Sequence, residues 1–394
     1  MIWNARRGGR RKIAVAAIAT GVLLSVAACG GSDAPASGEG LPDEIKLVSV
    51  NPTTGVVAFA GASANKGYEL AVKEINESDL LGGSKIKLEF KDTKSEPQTA
   101  ASALTSAITD RDVAAVFGSV SSTEAVAMSP LAQKRGMPII YTQAGSDGVV
   151  VGDYTYRATP LMSSYYPIIS RFIKEQGYKS VGVMYTSVTP TLQEIGQKTY
   201  PQLAKELGFE ITKSIATSAT TQDFAAPISQ LLASKPDVVA TLQVGASNPT
   251  VMTQLRQAGY QGKVLGNSGA SAGNLKPAGK AGDGMVWPVD FNYQQNAESS
   301  QKFVAAYRAE YGEVPLNYAA EAYDAAYFLA RSMAAADSTD REAIKDAMKE
   351  EAAKTFDGAL GKDLKWENGT LQVPGVMVEY TTEGEKLLYE GAGE

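Results

Sequence analysis

Histidine is absent from this 394-residue chain, and cysteine occurs once, at Cys29. Without histidine the chain cannot form Ser-His-Asp or Cys-His nucleophile systems, or a metal site built on imidazole. A single cysteine leaves no intrachain disulfide. We therefore expect no catalytic residues, no metal ligands and no cofactor.

Positive charge is also scarce, because 37 Lys and Arg face 43 Asp and Glu, for a net charge of −6. Residues 1–28 carry five positive and no negative side chains, so removing them takes the net charge to about −11. An acidic chain is a poor candidate for binding nucleic acid, and we expect no such partner. The remaining composition, 44% hydrophobic and 20% charged, is that of a globular protein long enough for two or three domains.

Residues 1–28 have the pattern of an export signal. Basic residues cluster at 6–12, and residues 13–28 are uncharged, apolar and too short and Ala-rich for a membrane-spanning helix. The segment ends in Val-Ala-Ala before Cys29, which is similar to the bacterial lipobox. That similarity implies cleavage before Cys29 and lipid attachment at its sulfur; the alternative is a buried free cysteine. Residues 29–42 are rich in Gly, Ser, Ala and Pro and predict a flexible tether.

Residues 113–124 organise the rest of the chain. The apolar run 113–117 predicts a buried strand, Gly118 a turn, and the hydroxyl cluster 121–123 the start of a helix. The N–H groups at a helix start lack intrahelical partners, and the positive end of the helix dipole favours an anion. Ser121 and Ser122 are therefore candidates to bind a carboxylate. The alternative is that one of them only caps the helix.

Strand and helix patterns alternate from Glu44 onward. We expect strands at 45–50, 86–90, 113–117 and 138–141, then at 181–185, 209–215, 238–242 and 264–265, and a last one at 371–380. We expect helices near 63–76, 97–109, 122–135, 163–176, 192–207, 223–234 and 248–258, and within 297–354. Repeated alternation predicts parallel sheets wound by right-handed crossovers, and two series predict two similar α/β lobes.

Several short segments are similar, in order and spacing, to one family. They are residues 45–51, Thr54-Gly55, 67–76, Gly82-Gly83, Asp92, Phe117-Gly118 with Ser121-Ser122, and 255–259. Behind a lipobox, and over about residues 45–380, they resemble the lipoprotein form of branched-chain amino-acid-type (leucine/isoleucine/valine-binding) periplasmic binding proteins.

The resemblance implies a type I periplasmic binding protein fold, with two doubly wound Rossmann-like lobes joined by three crossovers. We expect an N-terminal lobe of residues 43–159 plus 289–367 and a C-terminal lobe of 160–288 plus 368–390. The implied function is the extracytoplasmic solute receptor of an ABC importer. We expect a monomer, held on the outer face of the cell membrane by lipid at Cys29, whose partners are a small-molecule ligand and the permease subunits.

The resemblance also implies binding residues at the carboxyl ends of strands, where open α/β sheets hold their ligands. The first segment is Ser121-Ser122. The second follows the strand 138–141 and consists of Gln143, Ala144, Gly145 and Ser146, although Gly145 has the alternative role of supplying a turn with positive φ. Tyr318 is expected to form an aromatic wall, with a core position as the alternative, and Phe59 to line the mouth.

Two positions depart from the pattern of the amino-acid binders. Ser247 stands where they carry an aromatic residue, and Ser268 where they carry the acid that pairs with the ligand ammonium, and we expect both serines to contact the ligand from the second lobe. A desolvated ammonium without a counter-charge is costly. We therefore expect a small ligand with a polar or carboxylate end, among amino acids, amides and organic acids, and no obligatory ammonium. An ordinary amino acid requires a substitute acid from a set of four: Glu124, Asp147, Asp290 and Glu321.

Two other functions fit the same sequence. A sensor receptor of the same fold would pass ligand binding to a membrane kinase, and neighbouring permease and ATPase genes would distinguish an importer from it. An exported hydrolase would have to rely on a Ser–Lys or paired-carboxylate arrangement, since histidine is absent. No convincing Ser-x-x-Lys motif set is present, so we expect no enzyme.

Overall fold

A computed structural model describes residues 40–218 and 221–391. The predicted signal peptide, Cys29 and most of the predicted tether lie outside the described residues. Within the described ranges, no helix is long and apolar enough to cross a membrane.

The described residues form fifteen strands and twelve α-helices. The strands are β1 (Glu44–Asn51), β2 (Lys85–Asp92), β3 (Val113–Phe117), β4 (Ile139–Tyr141), β5 (Thr155–Arg157), β6 (Ser180–Thr186), β7 (Glu210–Thr217), β8 (Val238–Leu242), β9 (Val264–Leu265), β10 (Met285–Val289), β11 (Phe356–Gly358), β12 (Gly361–Glu367), β13 (Thr370–Gln372), β14 (Val376–Thr381) and β15 (Gly384–Glu390). The helices are α1 (Ala58–Glu77), α2 (Pro97–Thr109), α3 (Ser122–Arg135), α4 (Tyr166–Gln176), α5 (Pro190–Glu194), α6 (Tyr200–Leu207), α7 (Ala225–Ala233), α8 (Ser247–Gln257), α9 (Ala272–Leu275), α10 (Glu298–Tyr311), α11 (Asn317–Ala336) and α12 (Arg341–Ala352). Short 3-10 turns cover Met162–Tyr165 and Lys276–Gly282, and a π turn covers Ile195–Thr199.

The first lobe is built on an eight-stranded sheet of order β11-β12-β13-β5-β4-β3-β1-β2. Strands β1 to β5 pair in parallel. At one edge of the sheet, β12 pairs in antiparallel with both β11 and β13. β3 is buried at every position, as a parallel strand covered on both faces must be. Helices α1 and α11 pack on one face with Tyr68 stacked on Phe117, and α2 and α3 cover the other.

The second lobe is built on a seven-stranded sheet of order β15-β14-β10-β9-β8-β6-β7. Its strands from β6 to β10 are parallel, and the β14-β15 hairpin adds an antiparallel edge. Two buried apolar clusters lie on opposite faces, one with α4 and α6, the other with α7 and α8. The predicted fold class is confirmed: these are two doubly wound α/β lobes.

Three segments cross between the lobes. They are residues 158–161 after β5, residues 290–297 after β10 and residues 373–375 between β13 and β14. The predicted lobe boundaries stay a prediction, but the predicted end of the N-terminal lobe at residue 367 lies before the last strand of the first sheet. Because β12 and β13 pair as neighbours, the chain stays in the first lobe through Gln372, beyond the predicted end at 367. Pro374 lies in the resulting break, which divides the predicted strand 371–380 in two.

Candidate ligand-binding cleft

The turn between β3 and α3 has the geometry that its sequence predicts. Ser121 is the N-cap residue of α3, yet its side chain makes no capping hydrogen bond. Its hydroxyl instead pairs with the Thr123 Oγ1 atom at 2.9 Å, and its N–H donates to the Ser119 Oγ atom at 3.0 Å. The N–H groups of Ser122 and Thr123 occupy the first helical turn, where no intrahelical acceptor exists. The alternative of simple side-chain capping is therefore wrong for Ser121.

A cavity of about 320 Å³ lies against this turn, between the two lobes. Its walls are segments that follow β1, β2, β3 and β4 in the first sheet and β6, β8 and β9 in the second, so it opens at the carboxyl ends of both sets of parallel strands. The residues that line this cleft are Val56, Val57, Ala60, Ser95, Pro97, Val120, Ser121, Ser122, Thr123, Gln143, Met162, Val188, Thr189, Leu192, Val244, Gly245, Asn267, Gly269, Asn274 and Tyr318. None of these described residues carries a charge.

Gln143 is the one residue of the predicted second segment that lines the cleft. Its backbone is left-handed, with φ +51°, and its N–H donates to the buried Glu321 carboxyl. Its side-chain Oε1 accepts from Asn317 Nδ2 at 2.6 Å, while Nε2 donates to the Ser268 carbonyl of the second lobe at 3.1 Å. Gln143 thus joins the floor of the cleft to the opposite lobe.

Ala144, Gly145 and Ser146 are not among the residues that line the cleft, and their ligand contacts stay a prediction. Arg157 on β5 donates from Nη1 to the carbonyls of Ala144, at 3.1 Å, and Ser146, at 2.7 Å, which fixes the course of this segment beside β5. Gly145 bonds through its carbonyl to the Met162 N–H at 2.9 Å. The alternative for Gly145 is wrong, because the positive φ belongs to Gln143.

The two predicted aromatic residues have different surroundings. Tyr318 lines the cleft from α11, buried, with its hydroxyl donating to the Gly269 carbonyl at 3.2 Å. Phe59 does not line it. Its ring packs edge-on against Tyr318 with centroids 6.4 Å apart, and it borders a separate surface pocket with Gly273 and Lys276. Phe59 therefore supports the wall from behind.

In the second lobe, Ser247 and Ser268 do not line the cleft either, although residues close to each of them in the chain do. Ser247 begins α8 with its N–H bonded to the Val244 carbonyl, so that Val244 and Gly245 line the cleft instead. Ser268 offers its carbonyl to Gln143, and the lining position next to it is Asn267. The side chain of Asn267 is held inside its own loop, donating to the Gln243 carbonyl and accepting from the Gly269 N–H.

None of the four carboxylates considered as substitutes for the missing acid lines the cleft. Glu124 is buried behind the α3 turn and accepts from the hydroxyls of Thr93 and Ser119, and Asp147 borders a different pocket. Glu321 lies behind Gln143, beside Asp290 at the second crossover. Burial raises the pKa of both carboxyls, and the charge of Asp290 raises that of Glu321 further.

The apolar wall is the part of the cleft that the sequence did not identify. Val56, Val57 and Ala60 lie after β1, and Val188 and Leu192 after β6. In the sequence, Val188 stands among hydroxyl residues and Val56 next to Gly55, so both resemble ordinary loop positions. The only available signal was their place after predicted strands that face the same cleft.

The sequence and fold were compared with those of known proteins. The family model described as periplasmic binding protein matches residues 44–385. The chain belongs to the periplasmic binding protein family. This confirms the family resemblance and the fold, and it confirms the prediction that the chain is a binding protein and not an enzyme.

Relatives in this family cover nearly the whole chain. A protein of Brucella abortus named Leu/Ile/Val-binding protein homolog 7 is 26% identical over 390 residues, covering 93% of this chain and 95% of its own. The structure of the branched-chain amino acid transporter substrate-binding protein LivJ from Streptococcus pneumoniae, in complex with isoleucine, is 25% identical with a TM-score of 0.80, over 88% of this chain and 99% of its own. A solute-binding protein from R. palustris in complex with benzoate is 21% identical with a TM-score of 0.79, over 88% of this chain and 96% of its own.

Proposed function

We propose that this protein is a lipid-anchored extracytoplasmic solute-binding protein that captures a small ligand between its lobes and delivers it to an ABC importer. The single observation that carries the proposal is the cleft. It lies at the carboxyl ends of parallel strands from both lobes and includes a helix start whose first N–H groups have no helical partner. The ligand has a polar or carboxylate end and comes from the amino acids, amides or organic acids.

Family membership supports the transport role. Named relatives in it include a Leu/Ile/Val-binding protein homolog, a leucine-, isoleucine-, valine-, threonine- and alanine-binding protein and the substrate-binding protein of a branched-chain amino acid transporter, and the R. palustris protein is in complex with benzoate. The family thus accommodates ligands with and without an ammonium group on the same fold. The proposed partners are the ligand and the permease subunits, and the proposed working form is a monomer.

The proposed anchor is a lipid on Cys29 at the outer face of the cell membrane. It rests on the sequence before Cys29, with its basic, apolar and small-residue regions in the order of an export signal. More than one acyl chain is required for stable attachment, since a single chain binds only marginally. The Gly- and Ser-rich residues 29–42 would then give the binding domain reach from the membrane.

A thermal-shift screen of small metabolites tests the binding role. A ligand that binds only the folded state adds RT ln(1 + [L]/Kd) to the free energy of unfolding, about 2.7 kcal/mol at 100 times Kd. We expect at least one amino acid, amide or organic acid to raise Tm by several degrees. Uptake of that compound should also fall in a strain lacking this gene. If no compound of a library spanning these classes raises Tm, the proposed function is wrong.

A further inference from the structure

Hydrogen-bond donors in the cleft are concentrated at one end. The α3 turn contributes the N–H groups of Ser122 and Thr123 together with the hydroxyls of residues 121–123. The helix dipole adds a positive partial charge of roughly half a unit at the same place. The carboxyl in the first turn of α3, Glu124, faces away, bonded to Thr93 and Ser119, and burial raises its pKa. This end of the cleft suits a group that accepts hydrogen bonds and carries negative charge.

Three polar side chains of the opposite wall, those of Asn267, Asn274 and Tyr318, are bonded to nearby groups, and Thr189 adds a hydroxyl to the same wall. Asn267 uses both ends of its amide within its loop, on Gln243 and Gly269. Tyr318 donates to the Gly269 carbonyl, and Asn274 Nδ2 lies 3.4 Å from both that carbonyl and the Tyr318 hydroxyl. These groups therefore have little capacity left for a second polar end on the ligand.

The rest of the lining is apolar and comes from both lobes. Val56, Val57 and Val120 face the cleft from the first lobe, and Val188, Leu192 and Val244 from the second. A ligand body that contacts these side chains gains from the burial of apolar surface, at roughly 25 cal/mol per Å². The arrangement fits an amphiphilic molecule with one polar end.

An ammonium group has no partner in this arrangement. None of the described lining residues is charged. The nearest buried carboxyl behind the floor, Glu321, already accepts from the Gln143 N–H and from Asn317 Nδ2, at 3.0 Å for the latter. Burial and the neighbouring Asp290 also raise its pKa, which disfavours the negative charge that an ammonium requires. Burying a cation here without a counter-charge is therefore unfavourable.

We propose that the ligand is a monocarboxylate with an apolar body and no ammonium group, its carboxylate bound at the α3 turn and its body against the valines and Leu192. This inference rests on the proposed function and narrows its ligand class. The volume of about 320 Å³ sets the size. At a share of about 30 Å³ for one water, the cleft holds on the order of ten non-hydrogen atoms, which fits a branched short-chain or single-ring acid.

Calorimetry with compounds that share one body tests the class. The aliphatic set is 4-methylpentanoate, 4-methyl-2-oxopentanoate, 4-methylpentanamide and leucine, and the aromatic set is 3-phenylpropanoate, 3-phenylpropanamide and phenylalanine, with benzoate and benzamide as a further matched pair. We expect an acid to bind at least tenfold more tightly than the amide and the amino acid of its set. If an amino acid or an amide binds as tightly as its acid, or if the metabolite screen finds only ligands outside this class, the inference is wrong and the proposed function stands. If nothing binds, both are wrong.

Acidic variants test the position of the carboxylate and the body. Asn274→Asp is nearly isosteric, adds a negative charge to the lining and removes the amide donor near Gly269 and Tyr318, so the affinity for the acid should fall about tenfold more than that for the amide. Val188→Asp, at a side chain that is 41% exposed, repeats the test if the first variant is unstable. Asn368→Asp makes the same charge change at an exposed position outside the cleft and should leave both affinities unchanged. Unchanged acid affinity in both cleft variants would overturn the inference.

Discussion

Gly245 is a position where the two lobes approach each other closely at the cleft. It lies in the loop between β8 and α8, with φ +46°, and faces the Val56 backbone of the first lobe. A Cβ atom added at Gly245 would lie 2.1 Å from the Val56 carbonyl oxygen, about 1 Å inside the shortest approach that such atoms make. The neighbour is backbone, so it cannot rotate away. Gly245→Ala should therefore hold the lobes apart.

The size of the effect follows from the cost of overpacking. Forcing an extra methyl group into a packed contact costs typically 1–3 kcal/mol. Here that cost falls on the closed arrangement, in which Gln143 also donates to the Ser268 carbonyl across the lobes. If the ligand binds the closed form, its apparent affinity falls in proportion to the population of that form. At about 1.4 kcal/mol per tenfold, we expect a loss of roughly 5- to 150-fold.

The assay is calorimetry with the tightest ligand of the screen, combined with small-angle scattering. Wild-type protein should contract when ligand is added, because hinge closure brings the lobes together. Gly245→Ala should contract less at equal ligand concentration and bind more weakly. Gly177→Ala is the matched control, since Gly177 also has positive φ, at 68°, in the second lobe but no atom within 4 Å of an added Cβ. If Gly245→Ala binds as tightly as Gly177→Ala, closure is not coupled to binding through this contact.

Three further predictions concern the anchor, the carboxylate site and pH. The intact mass of membrane-extracted protein should show two or three acyl chains on Cys29 and no residues 1–28; an unmodified thiol with those residues attached contradicts the anchor. Ser122→Ala should weaken binding of the acid by roughly 10- to 150-fold, for a lost hydrogen bond to a charged group of about 1.5–3 kcal/mol, whereas a residue that only capped α3 would leave affinity intact and lower stability by about 1 kcal/mol. Burial raises the pKa of Glu385 from 4.5 to about 7. A raised folded-state pKa makes stability fall as pH rises through this range, by up to ~3 kcal/mol, so Tm should fall less with pH in Glu385→Gln than in wild type, and parallel profiles refute the assignment.

The parts of the fold that the sequence predicted well have strong local signals. The strands Val113–Phe117, Val238–Leu242 and Val264–Leu265 and the helix Pro97–Thr109 lie where their apolar runs and first-turn proline predicted them. Several strands were missed: β11 has no buried position and is specified by pairing with β12, and β5 and β10 lie inside their sheets but are only three and five residues long. Helix α1 begins at Ala58, before the predicted start at 63, where no side-chain cap marks the boundary.

The predictions for the cleft show the same difference between local sequence signals and contacts made in the folded chain. Ser121, Ser122 and Tyr318 line the cleft as predicted, because each lies at a strand end or a helix start. The position of such a residue does not depend on the course of the loops. The neighbouring Ala144 to Ser146 segment does not line the cleft, and its course depends on Arg157, which lies on the following strand and bonds to the carbonyls of Ala144 and Ser146. A sequence alone gives no sign of which loop carbonyl such an arginine will contact.

Gln143 shows how the same dependence on tertiary contacts creates a binding site. Its left-handed backbone is uncommon for a residue other than glycine and is retained because its N–H is bonded to Glu321 and its side chain to Asn317 and Ser268. These partners lie more than 120 residues away in the chain. They withdraw the nearest carboxyl from the cleft and present an uncharged amide there instead. The absence of charge in the cleft is therefore produced by packing around Gln143, and not only by the residue types at the lining positions.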